Sequence, residues 1–456
     1  MFMTDKNIII ILAGLVGFIW LPLICSILWK RPIVGAVVPF LFTGLEAIFI
    51  NLPVLRLVTN IYPQDLIFVP MLIVGLIKGF YSRSGISKIA LSLAILLVYS
   101  IVRGVILIGT DQIGESREDL YFFASILFFA TSSISRIDKD RLVGYICNLG
   151  AVLILVAIFR WGATISGLAI ASLWAETASQ IGGGTPLRVL NASQALILAI
   201  VSILSIKFRS INRGSWWHRN AIYFTVPALL ILQHRTIWII TIIALTILVL
   251  QDRQFRRKFY SYTLGIVTVI GIGVIIIGAK FVGIIKSSLE ASSQSEDTLL
   301  WRLQGWQYFL SEGAPKSMHD ILFGLPYGTG WERYQFGSFV DFPPHNFYIQ
   351  EYLRIGLLGI IFLFLLYFYV LKIHSDRTIW GSIKNEMVAI QLIMFITYSS
   401  SPILGIILGL LAQDEPIENK FASEDDRMTS KSYSRILNFQ SAGSPVLFTS
   451  DNSNTQ

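Results

Sequence analysis

The chain has 456 residues, of which 54% are hydrophobic and only 14% are charged; soluble domains carry roughly 25% charged residues. This composition excludes a soluble enzyme, a disordered chain and a secreted disulfide scaffold, and the two cysteines, Cys25 and Cys147, belong to no metal or redox motif. The net charge of +8 does not indicate nucleic acid either, because the basic residues sit in short clusters between apolar runs, as they do in a polytopic membrane protein.

Crossing the hydrocarbon core takes about 20 apolar residues. Apolar runs occur at about 8–28, 33–50, 65–80, 89–109, 119–135, 142–159, 189–206, 221–233, 236–250, 260–279, 346–371 and 385–411. They predict an all-α polytopic membrane protein with about 12 transmembrane helices over residues 1–412. The first run ends in Lys30-Arg31 without a small-residue cleavage site, which predicts a retained helix. The last run is interrupted by Ser399-Ser400-Ser401-Pro402, so it is one kinked helix or two short ones. Residues 413–456 are rich in Ser, Asp, Glu and Asn, which predicts a disordered tail, expected in the cytoplasm.

Charge assigns the sides of the membrane. The loops around Lys78–Lys88, Lys207–Arg219, Arg253–Lys258 and Lys372–Lys384 are basic and expected inside. The segment with Asp111, Glu115, Glu118 and Asp119, the stretch 161–188 and the long loop at about 281–345 are acidic or nearly neutral and expected outside.

Five histidines are present: His218, His234, His319, His345 and His374. No pair has the spacing of a zinc site, and no metal or cofactor is expected. His218 and His374 sit in the basic loops, and His319 lies beside Asp320. His345 differs, because it follows Pro343-Pro344 and precedes Asn346, a good helix-capping residue, where the outer loop meets a span. A helix that starts there offers free N–H groups and partial positive charge to an anion such as phosphate.

Three arginines add to this. Arg235, in Gln233-His234-Arg235-Thr236, splits the apolar stretch 221–250 and is expected at the outer turn between two short helices. Arg302 lies on an amphipathic helix predicted over about 297–310 from Leu299, Leu303, Trp306 and Leu310, with Trp301 and Trp306 suited to the outer membrane interface. Arg103 in the fourth span either lines a cavity or snorkels outward, and Glu46 in the second span is similarly open.

The segment His345-Asn346, nine residues, Gly356, two residues, Gly359 resembles the H-[NSQ]-x9-G-x-x-[GTV] pattern of bacterial O-antigen ligases and O-antigen polymerases. Arg302-Leu-Gln-Gly-Trp306 followed by Leu322-Phe-Gly324 and Gly328 is similar to that family's loop signature, and His234-Arg235 to its Ser-Arg pair. The likeness covers about residues 220–411; the N-terminal half matches only as a generic multispan pattern. The chain departs from the pattern in carrying His234 for the usual Ser, Arg354 with Glu351 nearby where Glu is common, and a long tail.

The resemblance implies a multi-pass enzyme of a bacterial inner membrane with a GT-C-like fold and a large extracytoplasmic loop at about 281–345. It would be a metal-independent inverting glycosyltransferase moving a glycan from undecaprenyl diphosphate to a sugar hydroxyl. The acceptor is lipid A–core for a ligase or another lipid-linked glycan for a polymerase. His345 would be the general base, with Arg235, Arg302, Asn346 and Arg103 as substrate-binding residues. The partners are then the lipid-linked donor, the acceptor and membrane lipids, with no nucleic acid. A transporter of bicarbonate or another anion is the alternative of a different class, using Arg103 and Arg235 to line an anion path.

Overall fold

A computed structural model describes residues 19–49, 62–166, 168, 188–251, 255–257, 259–269, 271–272, 296–335, 337–373 and 378–413. The start of the first run, most of the stretch 161–188, residues 273–295, His374 and the tail beyond 413 lie outside the described residues.

The described chain is mostly helical, with little sheet. In chain order the helices are α1 (Ile19–Lys30), α2 (Val34–Ile48), α3 (Asp65–Tyr81), α4 (Gly85–Leu107), α5 (Arg117–Thr131) and α6 (Arg136–Ile165). There follow α7 (Ala192–Ser210), α8 (Ile222–Leu232), α9 (Arg235–Gln251), α10 (Phe259–Val269), α11 (Glu296–Leu310) and α12 (Met318–Phe323). A hairpin of β1 (Glu332–Gln335) and β2 (Ser338–Asp341) precedes α13 (Phe347–Lys372), α14 (Lys384–Thr397) and α15 (Pro402–Leu411). Among them α4, α6, α7 and α13 are long and apolar enough to cross a membrane. The pair α1 and α2 would make a fifth span if taken as one; it is bent by 112° at a break that contains Pro32. The four shorter apolar helices are α8, α9, α10 and α15.

Two helices are buried on all sides, each at the centre of a group of neighbours. In α5 every residue from Tyr121 to Ala130 is buried, and α3, α4 and α15 pack on it. In α7 the run Gln194–Ile206 is buried, and α6, α8 and α9 surround it. A helix without a polar face belongs inside a bundle. The last apolar run is two helices separated by extended chain at 398–401, with Pro402 opening α15. They part company: α14 packs chiefly on α9, and α15 on α5.

The segments assigned outside by charge bind one another. The Tyr327 hydroxyl donates to Asp119 at 2.9 Å, Gly328 N–H to Glu115 at 2.8 Å, and Ser399 and Ser400 to Glu118 and Asp119 at 3.2 and 2.9 Å. In the basic loop before α14, Trp380 Nε1 donates to the Lys139 carbonyl, and Lys384 Nζ to those of Leu371 and Ile373.

Candidate functional site

The described part of the long loop, residues 296–335 and 337–345, is folded. Helix α11 forms where the amphipathic pattern predicts it. Its two tryptophans, half-buried, make contacts within the loop: Trp306 Nε1 donates to the Pro344 carbonyl at 2.6 Å, and the Trp301 ring lies 6.2 Å from that of His345. A backbone carbonyl next to a proline-rich turn satisfies an indole N–H that a lipid tail would leave unpaired.

Behind α11, the turn after α12 wedges between α4 and α13. Gly324 is at φ +84° and Gly356 at φ +68°, and a Cβ on Gly356 would meet the Leu322 carbonyl. Helix α13 therefore breaks at Gly356, the first glycine of the Gly-x-x-Gly step, to admit the Leu-Phe-Gly turn. Leu325 N–H donates to the Leu353 carbonyl at 2.6 Å across this contact.

Arg103 belongs to that wedge. It pairs with Asp320 and donates to the Gly324 carbonyl, each at 2.8 Å, while His319 accompanies it through Tyr99 at 2.8 Å. Arg103, left open by the sequence between lining a cavity and snorkelling outward, clamps α4 to α12. Arg354 is 1% exposed and turns to Glu115 and to the Thr329 carbonyl, with its guanidinium 4.0 Å from the Trp331 ring centroid. Glu46 bonds Gln64 at 2.9 Å.

At the start of α13, Asn346 caps the helix, its Oδ1 accepting from Ile349 N–H at 3.1 Å. That use occupies the side-chain oxygen with backbone. His345, just before it, is half-buried and stands at φ +48°. Its pKa is brought down to about 4 by burial and by the nearby Arg302 and Arg333. The imidazole is therefore neutral at physiological pH.

Arg302 is not isolated. Arg188, just before α7, has Arg235 and Arg302 as charged neighbours, and both Arg188 and Arg302 face the Tyr398 phenol in the break before α15. The guanidinium pKa values of Arg188 and Arg302 are lowered, chiefly by burial. Among the described residues neither is salt-bridged to a carboxylate, and the Nε of each is buried without a hydrogen-bond partner.

The backbone around them is fixed by short contacts. Arg188 Nη2 donates to the Gln233 carbonyl at 3.2 Å, Gln233 being left-handed at φ 56°. His234 Nε2 donates to the Leu190 carbonyl at 2.9 Å, and burial and Arg188 bring its pKa down to about 4. Thr397 Oγ1 donates to Thr236 Oγ1 at 3.1 Å. Arg160 on α6 donates to the Val189 carbonyl at 2.5 Å. His234 is thus a strut that joins the Arg235 turn to the segment after Arg188.

The structure places Arg302 beside His345 and sets Arg188 between Arg235 and Arg302 as their charged neighbour, with Tyr398 and Arg333 added. Arg188 had one sequence signal, a lone arginine after Gly182-Gly183-Gly184 and immediately before a span on the expected outer side. Among the described residues, no group of three or more His, Cys, Asp or Glu could hold a metal ion.

The class the fold defines is a mostly helical membrane protein with a polar site built at the ends of its helices. Compared with family models, with curated proteins and with solved structures, the chain has no match.

Proposed function

We propose that the protein is a membrane glycosyltransferase of the O-antigen ligase or polymerase type, with about 12 spans and a GT-C-like arrangement, working at the outer face of a bacterial inner membrane. The observation that supports this reading is Arg188 with Arg235 and Arg302 as its charged neighbours, from three separate segments, and a neutral His345 that faces Arg302. Arg188 and the two arginines that repel it suit a multiply charged anion, because guanidinium–phosphate bonds offset that repulsion.

In this account a lipid diphosphate lies against the three guanidinium groups, which stabilise the charge that grows on the leaving diphosphate. His345 takes the proton from the acceptor hydroxyl as that oxygen attacks the anomeric carbon. The carbon–oxygen bond to the diphosphate breaks on the opposite face, so the product has inverted configuration. A base with a pKa near 4 is weak for work at neutral pH. A bound diphosphate next to Arg302 offsets one of the two cations that depress it, which raises the imidazole toward its working range only when the donor is in place.

The test is the purified protein in lipid with an undecaprenyl-diphosphate glycan and a sugar acceptor. The expected result is an inverted glycosidic product formed in the presence of chelator. Failure to transfer from any such donor, combined with anion flux across sealed vesicles, would establish the transporter alternative instead.

A further inference from the structure

Arg333 is the second residue of β1 and is 3% exposed. Its guanidinium lies 5.1 Å from the Trp301 ring centroid and 5.0 Å from that of Phe309, both on α11. Nε donates to Gln335 Oε1 at 2.8 Å, and Nη1 to the carbonyls of Trp331 at 3.2 Å and Phe342 at 2.6 Å. Gln335 Nε2 in turn donates to the Trp301 carbonyl. A Cβ at Gly305 would stand 3.3 Å from Nε and Nη2, so the glycine leaves the room the fork occupies.

One side chain thus joins α11, β1 and the chain at Phe342, three residues before His345. Packing alone does not call for a charge in such a slot; a buried cation is costly, and an apolar residue of similar volume would fill it more cheaply. What the charge and fork are aimed at is the neighbouring turn. His345 sits in left-handed backbone, which a non-glycine residue keeps only where its surroundings over-determine it. Two bonds do this: Arg333 to the Phe342 carbonyl and Trp306 to that of Pro344.

We propose that Arg333 is a positioning residue for His345, fixing the imidazole against α11 and presenting a second fixed positive charge to it beside Arg302. Among the described residues, the charged groups facing His345 are Arg302 from α11 and Arg333 from β1. Asp341 and Tyr308 face Arg333, and Tyr398 faces Arg302. The catalytic meaning of this arrangement rests on His345 being the general base; the coupling of the two side chains does not.

The experiment follows the His345 ring directly in the full-length protein in lipid nanodiscs, by carbon-13 NMR of labelled histidine, with the His345→Gln spectrum assigning its signal. Arg333→Gln should raise the His345 titration midpoint by roughly one unit and move the acid limb of the transfer rate by the same amount. Arg333→Lys keeps the charge and should leave the midpoint near the parent's. It loses the fork, so transfer should fall about tenfold with donor binding unchanged. An unchanged midpoint in Arg333→Gln overturns the assignment. So does parental transfer by Arg333→Lys, which decides alone if the Gln variant fails to fold. If the parent protein itself transfers no glycan, the catalytic reading fails, while the titration still decides whether Arg333 controls His345.

Discussion

Lysine and arginine would serve equally well at position 302 if charge alone mattered there. The cluster predicts otherwise, because a planar fork can span two phosphate oxygens and an ammonium cannot. Arg302→Lys should weaken donor binding about 10–100-fold, the worth of one charged hydrogen bond, at unchanged expression; binding of a labelled lipid diphosphate to the purified variant measures it. Arg188→Lys should behave alike. His234 gives a prediction about stability. Its folded pKa, about 4, lies below the ordinary histidine value of 6.5, so the unfolded chain binds more protons between those values. Stability should therefore fall as pH drops from about 6.5 toward 4. In His234→Gln, whose amide can still donate to the Leu190 carbonyl, thermal denaturation should show a shallower acid loss, with His345 supplying the remainder. At this scale the sequence revealed His345, Arg235 and Arg302 through their motif and their odd placement. Arg188 stayed hidden because an arginine at a loop end also reads as a solvated charge, and only the turn at Gln233 shows what it faces. Arg333 lay in a loop with no periodicity to assign it a neighbour.

The glycines of the pattern acquire their meaning at the level of elements. Gly356 breaks α13 so that the turn after α12 can enter, and Gly324 makes that turn. Gly356→Ala should cost at least about 1–3 kcal/mol from the positive φ, and more because its Cβ meets the Leu322 carbonyl. A lower thermal midpoint in detergent, with accelerated cleavage near residues 324–330, is the expected outcome. Parental stability would mean that the break in α13 is not needed. The spacing of His345, Gly356 and Gly359 was legible in the sequence, and so was the amphipathic helix that became α11. The hairpin and the role of Arg354 were not. Two four-residue strands carry too little alternation to be recognised, and Arg354 is placed by Glu115, which lies in a segment far away along the chain. The contacts of the α11 tryptophans were hidden for a related reason: an indole suits a membrane interface and a carbonyl-lined turn equally well.

Across the whole molecule, charge alternation divides the loops into two sets, and the segments of the acidic set bind one another. Cysteines introduced as Ser338→Cys in the hairpin and Arg213→Cys in a basic loop should therefore label from opposite sides of sealed cells in a Cys25→Ser background. Labelling of both from outside would remove the one-sided site. The proposed mechanism rests on His345 as the proton acceptor beside Arg302. Its most direct test is His345→Ala, purified in lipid, with donor binding and glycan transfer measured on the same sample. The variant should bind the lipid diphosphate as the parent does, since Arg188, Arg235 and Arg302 remain, and should lose about 10²–10⁴ of the transfer rate. Full turnover by His345→Ala would contradict the account, and loss of donor binding together with turnover would make His345 a phosphate ligand rather than a base.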